Sequence, residues 1–154
     1  ELTPLVLLAE GHPPAAGRGI ALRDLQGEPL ILLDDEPSMN YCLSLFRDCG
    51  LEPTIGMRTK SQEMVRGFVG HGLGYGILAT KPANNMTYDG RALVARPLSD
   101  AVKNSRLVIA SLGSRALRPM ALEFAEHCRT FFGVAHAHAP GTPWRQYAPG
   151  NPQS

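Results

Sequence analysis

The chain has 154 residues, with 15 Lys and Arg against 14 Asp and Glu, so its net charge at neutral pH is +1. Hydrophobic residues make up 44%, charged residues 19% and aromatic residues 6%, the composition of a globular domain long enough to bury a substantial core. The charge balance excludes the strongly basic signature of an autonomous nucleic-acid binder and a polybasic membrane arm. No run reaches the roughly 18 apolar residues of a membrane span, so none is expected.

The opening Glu1-Leu2-Thr3-Pro4 lacks the basic patch and long apolar region of a signal peptide. Its first residue is not Met, which reads as processing or as a fragment. Leu5-Val6-Leu7-Leu8-Ala9 is a short apolar run, predicted as a buried strand and stopped by Gly11-His12-Pro13-Pro14. Residues 21–25 form a helical turn ended by Gly27, and Leu30-Ile31-Leu32-Leu33 is a second buried strand. Ser38 is placed to cap a helix running to about Cys49, with Gly50 ending it. Thr54 to Arg58 alternates like a strand.

Ser61 caps the next helix, Glu63 sits in its first turn, and Met64, Val65, Phe68 and Val69 form its apolar stripe. Gly70 and Gly72 close that helix, and Tyr75 to Ala79 is another short strand. A polar loop follows from Thr80 through Lys81, Pro82 and Asn84-Asn85 to the Asp89-Gly90 turn. Leu93 to Leu98 and Leu107 to Ala110 are further strand candidates. A helix from Leu117 to Phe132 carries Met120, Phe124, Cys128 and Phe131 near one face, with Pro119 confined to its first turn. Residues 134–154 are rich in Ala, Pro and Gly and read as an irregular tail. The strand–helix–strand–helix–strand order between Leu30 and Ala79 predicts two βαβ units and a parallel sheet.

Cys42, Cys49 and Cys128 form no metal-ligand pattern. Their odd number favours free thiols, and two helix turns separate Cys42 from Cys49 by about 10 Å, too far for a disulfide. The glycines from Gly70 to Gly76 follow a helix and lead into a strand, the reverse of a dinucleotide fingerprint, and fit a helix C-cap with a tight turn. Asp34, Asp35 and Glu36 read as a solvated loop at a strand end, with a metal or acid/base cluster as the sharper alternative. His136 and His138 have no third ligand nearby, and no hydrolase, zincin or P-loop pattern is present. No catalytic residue, metal site or cofactor is therefore assigned.

Ligands of open parallel sheets bind at the carboxyl ends of the strands. Here those ends offer Ser38, Thr59, Ser61, Gln62 and Thr80, all small neutral hydrogen-bonding groups, beside two helix N-termini that suit a small anion. Ser38 and Ser61 are equally explained as helix caps alone.

Asp24-Leu25-Gln26-Gly27-Glu28-Pro29-Leu30-Ile31-Leu32 resembles the entry to the second subdomain of LysR-type transcriptional regulators. Leu7 to Pro13 resembles their strand and Gly-His-Pro segment, Val65 to Leu78 their helix, glycine turn and strand, and Arg96-Pro97-Leu98 with the helix from Leu117 their return to the first subdomain. The resemblance covers about Leu5 to Phe132 and implies an α/β fold like type 2 periplasmic binding proteins, with one complete subdomain and an incomplete second one. It implies residues 1–28 as the end of the first subdomain and crossover, 29–106 as the second, effector-binding subdomain, and 107–133 as the return. Thr59, Ser61 and Gln62 then fall where the family often lines its effector cleft, with Thr80 beside them.

The resemblance further implies a cytoplasmic regulator, a homo-oligomer without membrane contact, taking a small-molecule effector for which an anion is one suitable class. DNA would be bound only through an N-terminal helix-turn-helix that nothing here matches. A solute-binding protein of similar fold, or an enzyme on that fold, are the alternatives. The large apolar face of the helix from Leu117 to Phe132 is expected to oligomerise or to need a covering segment.

Overall fold

The computed structural model describes residues 2–80, 84–106, 108–110 and 118–131. Lys81, Pro82, Leu107, Leu117 and the segment 134–154 with its two histidines lie outside the described residues. The chain divides into two compact units, Glu1–Leu107 and Val108–Ser154.

The first unit carries β1 (Leu5–Ala9), β2 (Pro29–Leu33), α1 (Glu36–Asp48), β3 (Thr54–Thr59), α2 (Gln62–Gly70), β4 (Gly76–Leu78) and β5 (Leu93–Pro97). β2 and β3 pair in parallel across α1, as the βαβ pattern predicts. β4 lies on the other side of β2 through a parallel bridge between Leu30 and Tyr75. There the Tyr75 N–H donates to the Pro29 carbonyl (3.0 Å) and the Ile31 N–H to the Tyr75 carbonyl (2.8 Å). β1 then pairs antiparallel with both β4 and β5. The sheet is thus mixed rather than parallel throughout, in the order β3-β2-β4-β1-β5. β1, which the sequence suggests as the end of a first subdomain, is hydrogen-bonded on both edges within this unit.

The unbroken apolar runs follow from burial on both faces, since side chains alternate along a strand. Val6, Leu8, Leu30, Leu32, Tyr75 and Ile77 point to the face covered by Cys42, Leu45 and Phe46 of α1 and by Leu22 and Leu25 of a short 3-10 turn. Leu7, Ile31 and Leu78 point to the opposite face, against Val65 and Val69 of α2 and Leu93. Each such aliphatic side chain contributes about 1.5–3 kcal/mol by leaving water.

Both helix ends close alike. Gly50 and Gly72 adopt left-handed backbone (φ +69° and +72°). Their N–H groups donate to Arg47 and Val69, while those of Leu51 and Leu73 donate back to Phe46 and Phe68. Those bonds satisfy carbonyls that a helix end leaves unpaired. Gly74 (φ +147°) lies so close to Pro29 that a Cβ would overlap the Pro29 carbonyl oxygen. Only glycine admits the approach that lets Tyr75 bond to β2.

α1 begins earlier than Ser38 suggests. Asp35 is its N-cap residue, with Glu36 and Pro37 in the first turn. Proline is at home there because its missing N–H is one the helix cannot use, so Ser38 lies inside the helix. In the second unit, α3 (Pro119–Phe131) forms as predicted, with Pro119 at its start. Val108, Ile109 and Ala110 carry no strand, unlike the sequence expectation. Phe124 and Phe131 of α3 are exposed, and Ala125 is buried. No helix among the described residues is long and apolar enough to cross a membrane.

Candidate effector cleft

Parallel β2, β3 and β4 bring three strand ends to one edge, and a cleft of about 410 Å³ opens there. Its apolar wall comes from Leu33, Ile77, Leu78 and Ala79 at the strand ends and from Pro37, Tyr41 and Cys42 of α1. Its polar groups are Ser38 of α1, Gln62 of α2, Thr80 after β4, and Ser105. Asp35 and Lys60, at the two strand-to-helix junctions, are its charged residues. The volume is that of a small-molecule site.

Three of the five residues named from the sequence, Ser38, Gln62 and Thr80, therefore meet around one space. Gln62 and Thr80 also touch, the Gln62 amide donating to the Thr80 hydroxyl (3.2 Å). Thr59 and Ser61 are engaged in the turn itself. The Thr59 hydroxyl accepts the Ser61 N–H (3.2 Å), and the Ser61 hydroxyl accepts the Met64 N–H (3.3 Å). They shape the entry to α2 and so aim Lys60 and Gln62.

Lys60, Tyr41 and Ser105 are cleft residues that the sequence does not single out, and Asp35, expected in a solvated loop or an acidic cluster, lines the cleft as well. Lys60 and Asp35 had a signal, since both stand beside named residues at strand-to-helix junctions. The Tyr41 hydroxyl donates to the Lys103 carbonyl (2.8 Å) and ties α1 to the segment after β5. Burial raises its phenol pKa, with a backbone hydrogen bond at Ser105 working against the rise. Ser105 reaches the cleft because it bridges Leu2, with reciprocal N–H to carbonyl bonds of 2.8 and 2.9 Å. A pairing over that separation leaves no local trace.

Cys42 forms part of the wall and is a free thiol, as are exposed Cys49 and half-buried Cys128. Burial pushes the Cys42 thiol pKa up to about 12, so it stays protonated and poorly nucleophilic. Asp34 pairs with Arg58 (3.8 Å). Among the described residues, no three His, Cys, Asp or Glu side chains cluster as metal ligands.

Behind the cleft, α2 carries a buried Arg66 whose guanidinium donates to the Asn84 side chain (2.7 Å) and carbonyl (3.2 Å) and to the Met86 carbonyl. One helix turn separates Arg66 from Gln62. The pair thus holds Thr80 on one side and Asn84 and Met86 on the other. At the C-terminus of α2, His71 meets Asp89 (2.8 Å), which also accepts the Thr87 hydroxyl. Aspartate stands between histidine and hydroxyl, so the histidine cannot draw the proton from Thr87 as a nucleophile's base would.

The model of the LysR substrate binding domain matches residues 2–133. The chain belongs to this family, the effector-binding domain of LysR-type transcriptional regulators with its periplasmic-binding-protein-like fold. It is 43% identical to the LysR family transcriptional regulator HinK from Pseudomonas aeruginosa, over 84% of this chain and 45% of that one, with a TM-score of 0.80. It is likewise 43% identical to PA01 protein, a putative LysR family regulator of the same organism, over 86% of this chain and 46% of that one, at a TM-score of 0.81. The effector binding domain of QuiR in complex with shikimate, at 22% identity, shares the fold: it aligns over 84% of this chain and 61% of its own, with a TM-score of 0.66. The chain thus spans less than half the length of the two Pseudomonas regulators. Among curated protein sequences, none matches it.

Proposed function

We propose that the cleft at the carboxyl ends of β2, β3 and β4 receives the small-molecule effector of a LysR-type regulator. The observation that carries this reading is the meeting of Ser38, Gln62 and Thr80, from three separate strand-end segments, around one small-molecule-sized space. Their hydroxyl and amide groups supply both donors and acceptors over an apolar wall, the mixture that orients a small ligand. The shikimate held by the QuiR domain supports a carboxylate as one suitable class. Membership of the LysR substrate binding domain family supports a cleft that binds its ligand rather than transforming it.

In the whole regulator, the effector would favour one arrangement of the effector domain over another and shift the population toward it. A homo-oligomer in the cytoplasm would then present its DNA-binding segments, which this chain does not supply, differently on an operator. The second unit with α3 is assigned to the companion subdomain. Ser38, Gln62 and Thr80 are the direct contacts, while Thr59 and Ser61 set the geometry of the junction.

Thermal-shift screening of small carboxylates against the 154-residue chain tests the site. Ligands that raise the melting temperature should lose that effect in Gln62→Leu and Ser38→Ala. Undiminished shifts in both variants would place the site elsewhere.

A further inference from the structure

The charges around the cleft are unequally satisfied. Asp34 is taken by Arg58 (3.8 Å) and Glu63 by Arg66 (3.4 Å). Of the residues that line the cleft, Lys60 and Asp35 are the charged ones, both exposed and neither in an ion pair among the described residues. They belong to different junctions, Lys60 between β3 and α2 and Asp35 between β2 and α1. Asp35 is the N-cap residue of α1, yet its carboxylate makes no capping hydrogen bond. Its oxygens are thus open to another donor. The wall of the same cleft includes the apolar side chains of Leu33, Tyr41 and Ile77.

A simple anion is attracted by Lys60 and repelled by Asp35, and a simple cation meets the reverse. A molecule carrying both charges satisfies each side chain and covers the wall with its apolar middle.

Resting on the effector-cleft reading above, we infer that the ligand is amphoteric: a carboxylate end facing Lys60, a protonated nitrogen facing Asp35, and an apolar body between them.

Three matched probes separate the possibilities: 4-(aminomethyl)benzoate with both charges, 4-methylbenzoate with the acid alone, and 4-methylbenzylamine with the amine alone. Each is titrated into the 154-residue chain while amide shifts of the cleft residues are followed by NMR. The amphoteric probe should bind at least about tenfold more tightly than either single-charge probe, equivalent to about 1.4 kcal/mol. Lys60→Gln should erase its advantage over the amine, and Asp35→Asn its advantage over the acid. Both positions are exposed, so the fold should survive, and unchanged circular dichroism checks this. Equal affinity of 4-methylbenzoate and 4-(aminomethyl)benzoate would overturn the amphoteric assignment and leave a carboxylate cleft. Equal affinity of the amine and the amphoteric probe would overturn it in favour of a cation site. Absence of cleft shifts with all three probes would overturn the cleft reading itself, and this inference with it.

Discussion

Asp89 holds together the turn between Thr87 and Arg91. One carboxylate oxygen accepts the Thr87 hydroxyl (2.5 Å), and the other meets His71 Nε2 (2.8 Å) at the C-terminus of α2. Hydrogen bonding from Thr87 first, and from His71 second, holds the Asp89 carboxyl below its usual range. Both bonds favour the ionised form, which is why the shift is downward. With the folded-state pKa depressed below the unfolded one, the linked stabilisation is present above the unfolded value and is lost as the pH falls through the folded one. Asp89 is exposed, so solvent screens the effect and it stays small. Thermal melts taken from about pH 5 to about pH 2 should show Asp89→Asn losing less stability over that window than the parent chain. Identical pH profiles would mean that the bonds are too mobile in solution to favour the carboxylate.

At the scale of elements, α2 was legible from end to end and α1 only at its close. Its ends carry clear marks, the Ser61 hydroxyl before an apolar stripe and Gly72 after it. The N-terminus of α1 offered Asp34, Asp35, Ser38 and a proline within five residues, and Pro37 moved the start upstream of Ser38. The cap of α2 can be tested directly. Its hydroxyl accepts the Met64 N–H, one of the donors a helix start leaves unpaired. Ser61→Ala should lower the unfolding free energy by about 1 kcal/mol, whereas Ser61→Gly should cost only a few tenths. Urea titration of both variants measures the difference. Equal losses would show that the hydroxyl does not cap in solution. The sheet was legible in proportion to its locality. The βαβ link of β2 to β3 follows from the chain order, whereas β1 pairs with residues some seventy to ninety positions away. An apolar run says that a strand is buried and nothing about its neighbours. The same reason hid Ser105.

At the scale of the whole molecule, the core of the first unit is self-contained. Among the described residues, both buried clusters and the side chains packed against them come from between Val6 and Val102. Both faces of the central strands are covered by helices or turns of that same stretch. The exposed phenylalanines of α3, Phe124 at 64% and Phe131 at 76%, contribute nothing to it. A chain cut to residues 1–107 should therefore fold with the core intact. Cys42 reports on this without added labels, because it lies in the cluster at 4% exposure while Cys49 is exposed on the same unit. Alkylation followed by mass spectrometry should modify Cys49 promptly in the shortened chain and Cys42 only at the rate at which the unit opens. Protection of Cys42 should be the same in the full and shortened chains, and denaturant should abolish it in both. Prompt modification of Cys42 in residues 1–107, with protection kept in the full chain, would show that the second unit is needed to close the first.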